Sequence, residues 1–520
     1  MADRPFKIGA TTGGGVVIAA LLVFMCFGTL AAVLWRANVS GLGPADGATI
    51  RFTVMQAAVS ALVSVGLATP VARALARRQF AGRSVLITML GAPFLVPVIV
   101  AVLGILAVFG RAGVLNSVLT KLGLPPFGIY GFHGVVLAHV FFNLPLAVRM
   151  LLQGWQAIPP ERFRLAAALG FLPGDIARHM ERPVLWSVLP GAFMVIFTLC
   201  LSSFAVALTL GGGPRATTVE LAIYQALRFD FDLGRAAALS AVQFWLCGMA
   251  VLASLYVTKN IGFGAGLDGK AVQWFGLRPI HTALDAMAIG GSVLFLILPL
   301  ALVALRGVPG LAELPYAVWP ALARSLCIAA VSTAITIAAV CILTMAIVRG
   351  RYGRLLELAA MLPLAASALV LGTGLFLLVR PWIAPEQLAL PVTALVNATL
   401  SFPFAFRIVL PVIRTIEADY GRLATSLSMS GLVRWRWLIL PRLRPALGFA
   451  AGLVAALSLG DLGVVALFAG EADVTLPLLV QRLMGAYRLQ AAAGAALVLI
   501  AVSFAVFWVL DWEGRRHADT

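Results

Sequence analysis

The chain is 520 residues long, 61% hydrophobic and only 11% charged, which leaves too little polar surface to enclose a soluble globular core. Its net charge of +17 invites a nucleic-acid reading. The arginines, however, stand at the edges of long apolar runs, where membrane orientation places them, and nucleic acid is set aside as a partner. Five cysteines without a C-x-x-C pair and five histidines without ligand spacing call for neither a disulfide framework nor a metal site.

Apolar runs of about twenty residues, enough for a helix to cross a hydrocarbon core, recur along the whole chain. They do not alternate, so the spans are helices rather than barrel strands. The expected fold is an all-α polytopic membrane protein of about twelve spans. The first span covers 14–36; it follows a basic head with Arg4 and Lys7 and is too long for a cleaved signal peptide. Spans at 53–74, 85–110, 132–153, 186–210 and 235–257 follow. A polar linker at 259–282 contains "GAGLDGKA" (264–271). This fits a phosphate-loop pattern by letters alone, for it has no strand before it and Ala271 where a Ser or Thr would hold magnesium. Spans at 283–306, 321–347, 356–380, 390–412, 443–468 and 490–512 complete the chain. Every second loop is basic, among them those with Arg77, Arg78 and Arg83, with Arg162, Arg164, Arg178 and Arg182, and with Arg422, Arg434 and Arg436. That alternation puts both termini in the cytoplasm.

Two stretches on the basic side resemble each other: "RLAAALGFLPGDIARHMERPVL" (164–185) and "RLATSLSMSGLVRWRWLILPRL" (422–443). Pro183 and Pro441 stand 258 residues apart, as do Pro145 and Pro403 in "LPLAVR" and "FPFAFR". Farther upstream the offset drifts, with Gly104 facing Gly374 at 270. The chain therefore divides into parallel repeats, 1–258 and 283–520, with the special segments at 161–183 and 419–441. In the first segment a short helix, 161–170, is broken by Gly170, Pro173 and Gly174. A second helix is expected to start with Asp175 as its N-cap and to end before Pro183. Ala166 and Ala167 allow close approach of another surface, and exposed Phe171 and Leu172 want a partner. Such a helix–turn–helix suits docking into a groove, and two copies suggest two equivalent docking sites.

These segments resemble the EAA loop of bacterial ABC-importer permeases of the binding-protein-dependent type. The match rests on Gly170, Pro183 and Pro441, with Arg164 and Arg422 replacing the usual Glu and Ser428 replacing the second Gly. The resemblance implies an importer permease in the bacterial inner membrane, with Arg164, Ala166, Ala167, Gly170, Phe171, Leu172, Pro183, Arg422, Ala424, Ser428, Gly431 and Pro441 coupling it to ATPase. It further implies two copies of an ABC ATPase subunit, which use ATP and magnesium while this chain needs no cofactor and has no catalytic site, and a periplasmic binding protein. A side chain is already accommodated at Ser428, so that position is expected to tolerate substitution better than Gly170. The stretches 138–153, 208–227 and 457–468 are similar to permeases for thiamine and thiamine pyrophosphate, which implies thiamine or its phosphates as cargo and a thiamine-binding protein outside.

Polar residues within the spans are the candidate substrate pathway: Asn143 with its repeat partner Ser401, Ser203 with its partner Asp461, and the aromatics Phe204 and Phe468. An acid at membrane depth is costly and faces a cavity or a partner rather than lipid, and a cationic ring suits an acid flanked by aromatics. Bonding of Asp461 to neighbouring helix groups is an equally good account of it. The outer loop 211–232 is expected to meet the delivery protein. A ferric-iron permease of the same plan, or a twelve-helix secondary transporter, are the alternatives. The latter is disfavoured because few intramembrane acids exist to relay protons.

Overall fold

A computed structural model describes residues 10–36, 42–90, 95–211, 213, 216–257, 279–350, 352–470 and 473–516. The phosphate-loop-like stretch 264–271 lies outside the described residues, as do Arg4, Lys7, Lys259, Lys270 and Arg278. The described residues are helical throughout, without a strand. The first part contains α1 (Ala10–Val23), α2 (Thr29–Arg36), α3 (Pro44–Arg77), α4 (Arg83–Met89), α5 (Val98–Phe109), α6 (Val114–Lys121) and α7 (Phe132–Gln156). It continues with α8 (Pro160–Ala168), α9 (Pro173–Ile176), α10 (Arg182–Leu201), α11 (Ala205–Leu210), α12 (Val219–Arg228) and α13 (Leu233–Val257). The second part contains α14 (Pro279–Gly310), α15 (Val318–Arg349), α16 (Gly353–Met361), α17 (Ala368–Val379) and α18 (Ala389–Ser426). It ends with α19 (Gly431–Arg434), α20 (Leu440–Leu459), α21 (Gly463–Phe468), α22 (Leu476–Gly485) and α23 (Leu489–Arg515).

Among the described residues, 11 helical segments are long and apolar enough to cross a membrane, and the bent pair α16–α17 brings the number to 12. Each of the expected spans finds its helix, but five are not single helices; that at 14–36 is α1 and α2 joined by a π turn, Phe24–Gly28. The span at 85–110 is α4, a bend and then α5; its counterpart at 356–380 is α16 and α17, bent by 94°. Those at 186–210 and 443–468 are interrupted at 202–204 and 460–462. A break inside an apolar medium leaves carbonyls that must be satisfied by protein. After α10 the Gln56 side-chain amide donates to the Cys200 carbonyl at 3.0 Å, and that of Gln243 to the Leu201 carbonyl at 2.9 Å. At the second break it is a freed N–H that is met locally: Asp461 Oδ1 accepts from the Gly463 amide at 3.2 Å, at the start of α21. Pro145 and Pro403 sit inside continuous helices, α7 and α18.

The opening helices of the two parts are exchanged. α1 packs on α15 and α16, and α2 on α17; in return α14 packs on α3 and α5. Glycine makes the crossings possible, because a Cβ at Gly374 would lie 2.4 Å from Thr29 Cβ and one at Gly104 2.7 Å from the Pro299 carbonyl oxygen. Thr29 and Pro299 stand 270 residues apart, the same offset as the two glycines, so the two crossings are built alike. On the face that carries the arginine-rich loops, termed the basic face below, Asp285 of α14 is paired with both Arg77 and Arg78 at the end of α3. That triad, with Arg77 and Asp285 buried and Arg78 half-buried, locks one exchanged helix to the other part of the chain.

Candidate functional site

On the basic face α8 ends in a left-handed turn. Gly170, at φ +70°, donates to the Ala167 carbonyl at 3.1 Å, and Phe171 to the Ala166 carbonyl at 3.0 Å. α18 ends in the same way: Ser428, at φ +53°, donates to Thr425 at 3.1 Å and Met429 to Ala424 at 2.9 Å. Both are the helix stop that glycine normally supplies. Position 428 therefore already holds a side chain in a conformation that favours glycine. A serine held there carries about 1 kcal/mol of backbone strain, and a branched residue is strained at both positions.

Three expectations are corrected. Asp175 is not the N-cap of the second helix; α9 begins at Pro173 after Leu172, and Asp175 Oδ2 accepts from the Leu172 amide at 3.0 Å. The helix does not end before Pro183. A π turn at Ala177–Glu181 leads directly into α10, and a second at Trp435–Ile439 leads into α20 just ahead of Pro441. Proline lacks the N–H and crowds the preceding turn, and the wider π turn absorbs both demands. Third, Ala166 and Ala424 are 3% and 2% exposed, so they seat each segment on the body rather than face outward, and Phe171 is half-buried beside His179.

What faces outward is apolar. Leu165 and Leu169 are 60% and 63% exposed; their counterparts Leu423 and Leu427 are 55% and 64% exposed. Each pair lies one helical turn apart on a single face, and sequence reasoning did not single it out. Leu172 is exposed as expected, alongside Arg164, Ala167, Gly170 and Pro183. In the second segment Arg422, Ser428 and Gly431 are exposed and Pro441 is half-buried. Ion pairs anchor the segments. Glu181, 3% exposed, accepts from Arg73 Nε at 2.9 Å and Nη2 at 2.7 Å, and from the Trp155 indole at 3.1 Å. In the second segment Glu417 pairs with Arg434.

The interior polar residues fall into two clusters at matching offsets. In the first, the Asn143 amide donates to the His139 carbonyl at 2.8 Å and lies 3.3 Å from Cys200 Sγ, while His139 Nδ1 is 3.3 Å from the Ser60 hydroxyl. In the second, Ser458 accepts from Ser332 at 2.8 Å and from Asn397 at 3.1 Å, and Asn397 borders Asp461. Asn397 and Ser458 escaped sequence reasoning, although they stand 258 residues from His139 and Cys200. Asp461 and Phe204 both border Gly463: the place of a Gly463 Cβ is 3.8 Å from Asp461 Oδ1 and 3.8 Å from the Phe204 ring. Asp461 Oδ2 has no hydrogen-bond partner among the described residues. Ser203 is half-buried near the break and Ser401 is buried within α18. Phe468 does not join Asp461; it is buried against Phe376 of α17 with ring centres 5.7 Å apart. The outer stretch 211–232 contains α12, whose Val219, Glu220 and Ile223 are buried, while Phe229 and Phe231 just beyond it are exposed.

A polytopic helical body, two like segments on one face and a polar seam between the spans define an ABC-importer permease of the binding-protein-dependent type. The chain is 39% identical over 491 residues to the thiamine transport system permease protein ThiP of Salmonella typhimurium, covering 91% of this chain and 90% of that one. It is 36% identical over 519 residues to ThiP of Brucella abortus, covering 96% and 94%, and 28% identical over 211 residues to the molybdenum transport system permease protein ModB of Mycobacterium bovis, covering 40% and 78%. No family model matches. The chain belongs to the family of thiamine transport system permease proteins.

Proposed function

We propose that this chain is the transmembrane subunit of an ATP-driven importer that carries thiamine and its phosphates into the cell. Its two parallel repeats, 1–258 and 283–520, each dock one copy of a separate ATPase subunit, and a periplasmic thiamine-binding protein delivers the cargo on the opposite face. The observation that carries this reading is the recurrence, 258 residues apart, of the same helix stop with the same pair of exposed leucines. ATP-driven closure of the ATPases moves these segments and, through them, the spans. ATP hydrolysis resides in the partner. The family relationship supports the cargo, and the Asp461 carboxylate beside Phe204 suits a cationic ring. The test is growth of a thiamine auxotroph lacking its own permease but retaining compatible partners. Growth on low thiamine supports the reading; rescue of an iron-uptake mutant instead overturns it.

The same reading places the basic face and both termini in the cytoplasm, following the arginine bias. Arg178 and Arg436 are exposed on that face. Cysteines substituted there are expected to react with an impermeant reagent in inverted vesicles and not in intact cells, and labelling of intact cells contradicts the orientation.

A further inference from the structure

Glu220 belongs to α12, a ten-residue helix between two spans, and is 0% exposed. Its Oε1 accepts from the Gln243 amide at 3.0 Å, and its Oε2 has no hydrogen-bond partner among the described residues. The same Gln243 nitrogen donates to the Leu201 carbonyl at the end of α10. On its other side the carboxyl borders Ser367, whose hydroxyl accepts from the Val370 amide at 3.1 Å and caps α17 in the second part of the chain. α9, the π turn and α10 form one continuous helical path from Pro173 to Leu201. A displacement of the docking segment thus reaches the carbonyl that Gln243 holds.

We propose that Glu220 is a positioning residue for transport: as a neutral acid it completes a strut from the end of α10 remote from the docking segment, through Gln243, to the cap of α17, and loss of its proton loosens that strut. The inference rests on the transport reading above and adds to it a residue and a pH dependence. Burial pushes the Glu220 carboxyl up to about 8. The neighbours do not supply a countercharge. Cys247 of α13 is a buried thiol, and α17 has no charged side chain between 368 and 379. Arg228, on the same helix, donates to the Ala469 carbonyl at 3.3 Å. On α3, Asp46 is tied to Arg235 of α13 at 2.9 Å. Tyr224, also on α12, stacks edge-on with Phe204 at 5.3 Å, and Asp461, at the head of α21, turns Oδ1 to its own helix start. An acid raised in the fold above its unfolded value makes a contribution to stability that is present at low pH and lost as pH rises through about 8.

The experiment uses the whole complex with its ATPase and binding protein in proteoliposomes, the ATPase side held at pH 7.5 and the binding-protein side varied from pH 7 to 9.5. About 1.5 pH units above its midpoint the neutral form is depleted about 30-fold. Wild-type uptake of thiamine is expected to fall about tenfold or more over this range. Glu220→Gln, a permanently neutral isostere, is expected to match wild type at pH 7 and to fall less than about twofold. In parallel, the melting temperature of the purified chain is expected to fall as pH rises from the unfolded value of 4.5 to about 8 and to level off above it for wild type, and not to fall in this way for Glu220→Gln. Identical pH profiles, or a Glu220→Gln chain that is inactive at pH 7, overturn the proposal. Absence of wild-type uptake at pH 7 fails the transport reading instead, and the melting comparison then decides the role of Glu220 by itself.

Discussion

Leu169→Asp together with Leu427→Asp is expected to abolish ATP-driven uptake and to release the ATPase subunits from the membrane, while the permease itself inserts and folds normally. Both leucines are more than half exposed, so a polar side chain there changes the stability of the isolated chain by no more than about 0.5 kcal/mol. Docked against a partner they are buried, and burial of a leucine is worth about 1.5–3 kcal/mol. Loss of both, with a carboxylate to desolvate at each site, weakens binding by about 100-fold or more. Co-purification of ATPase with the double variant measures this directly. ATPase retained at wild-type stoichiometry contradicts the docking role. Single variants are expected to lose one contact face each, because the two segments lie at equivalent places in the chain.

Gly374→Ala is expected to destabilise the chain although alanine is the better helix former. In an unencumbered helix the change from glycine to alanine gains about 1 kcal/mol. At 374 the added Cβ would sit 2.4 Å from Thr29 Cβ and 2.7 Å from the Thr29 carbonyl oxygen, so backbone must move, and overpacking of this kind costs about 1–3 kcal/mol. Gly248→Ala in α13 is the control, since nothing lies within 4 Å of its added Cβ. The sign of the effect separates the two sites: a lower melting temperature at 374, an unchanged or higher one at 248. Equal behaviour would mean that α2 does not cross α17 as described.

The spans were legible because bilayer thickness fixes the length of an apolar run, and each run from 14–36 to 490–512 does contain its helix. Hydropathy does not report where such a run breaks. Ser202 and Ser203 interrupt α10 only because Gln56 and Gln243, from distant helices, take up the freed carbonyls. Nor does it report the exchange of α2 and α14, which depends on what faces Gly374 and Gly104. In the two basic-face segments Gly170 and Pro183 marked the place, but small size suggested an outward position for Ala166 that is held by Leu165 and Leu169 instead. In a chain this greasy a leucine carries no signal until the structure shows it facing solvent. Glu220 stood in a stretch expected to form an outer loop, and its burial follows from the folding of that loop into α12.

The central claim, that this chain carries thiamine under the power of ATP, is tested most directly by uptake of labelled thiamine into proteoliposomes holding the chain, its ATPase subunits and its binding protein. The account predicts accumulation against a gradient with ATP and magnesium, none with ADP or without the binding protein, and none with the Leu169→Asp, Leu427→Asp chain. Accumulation that proceeds without ATP, or a complex that carries ferric iron and leaves thiamine outside, would contradict it.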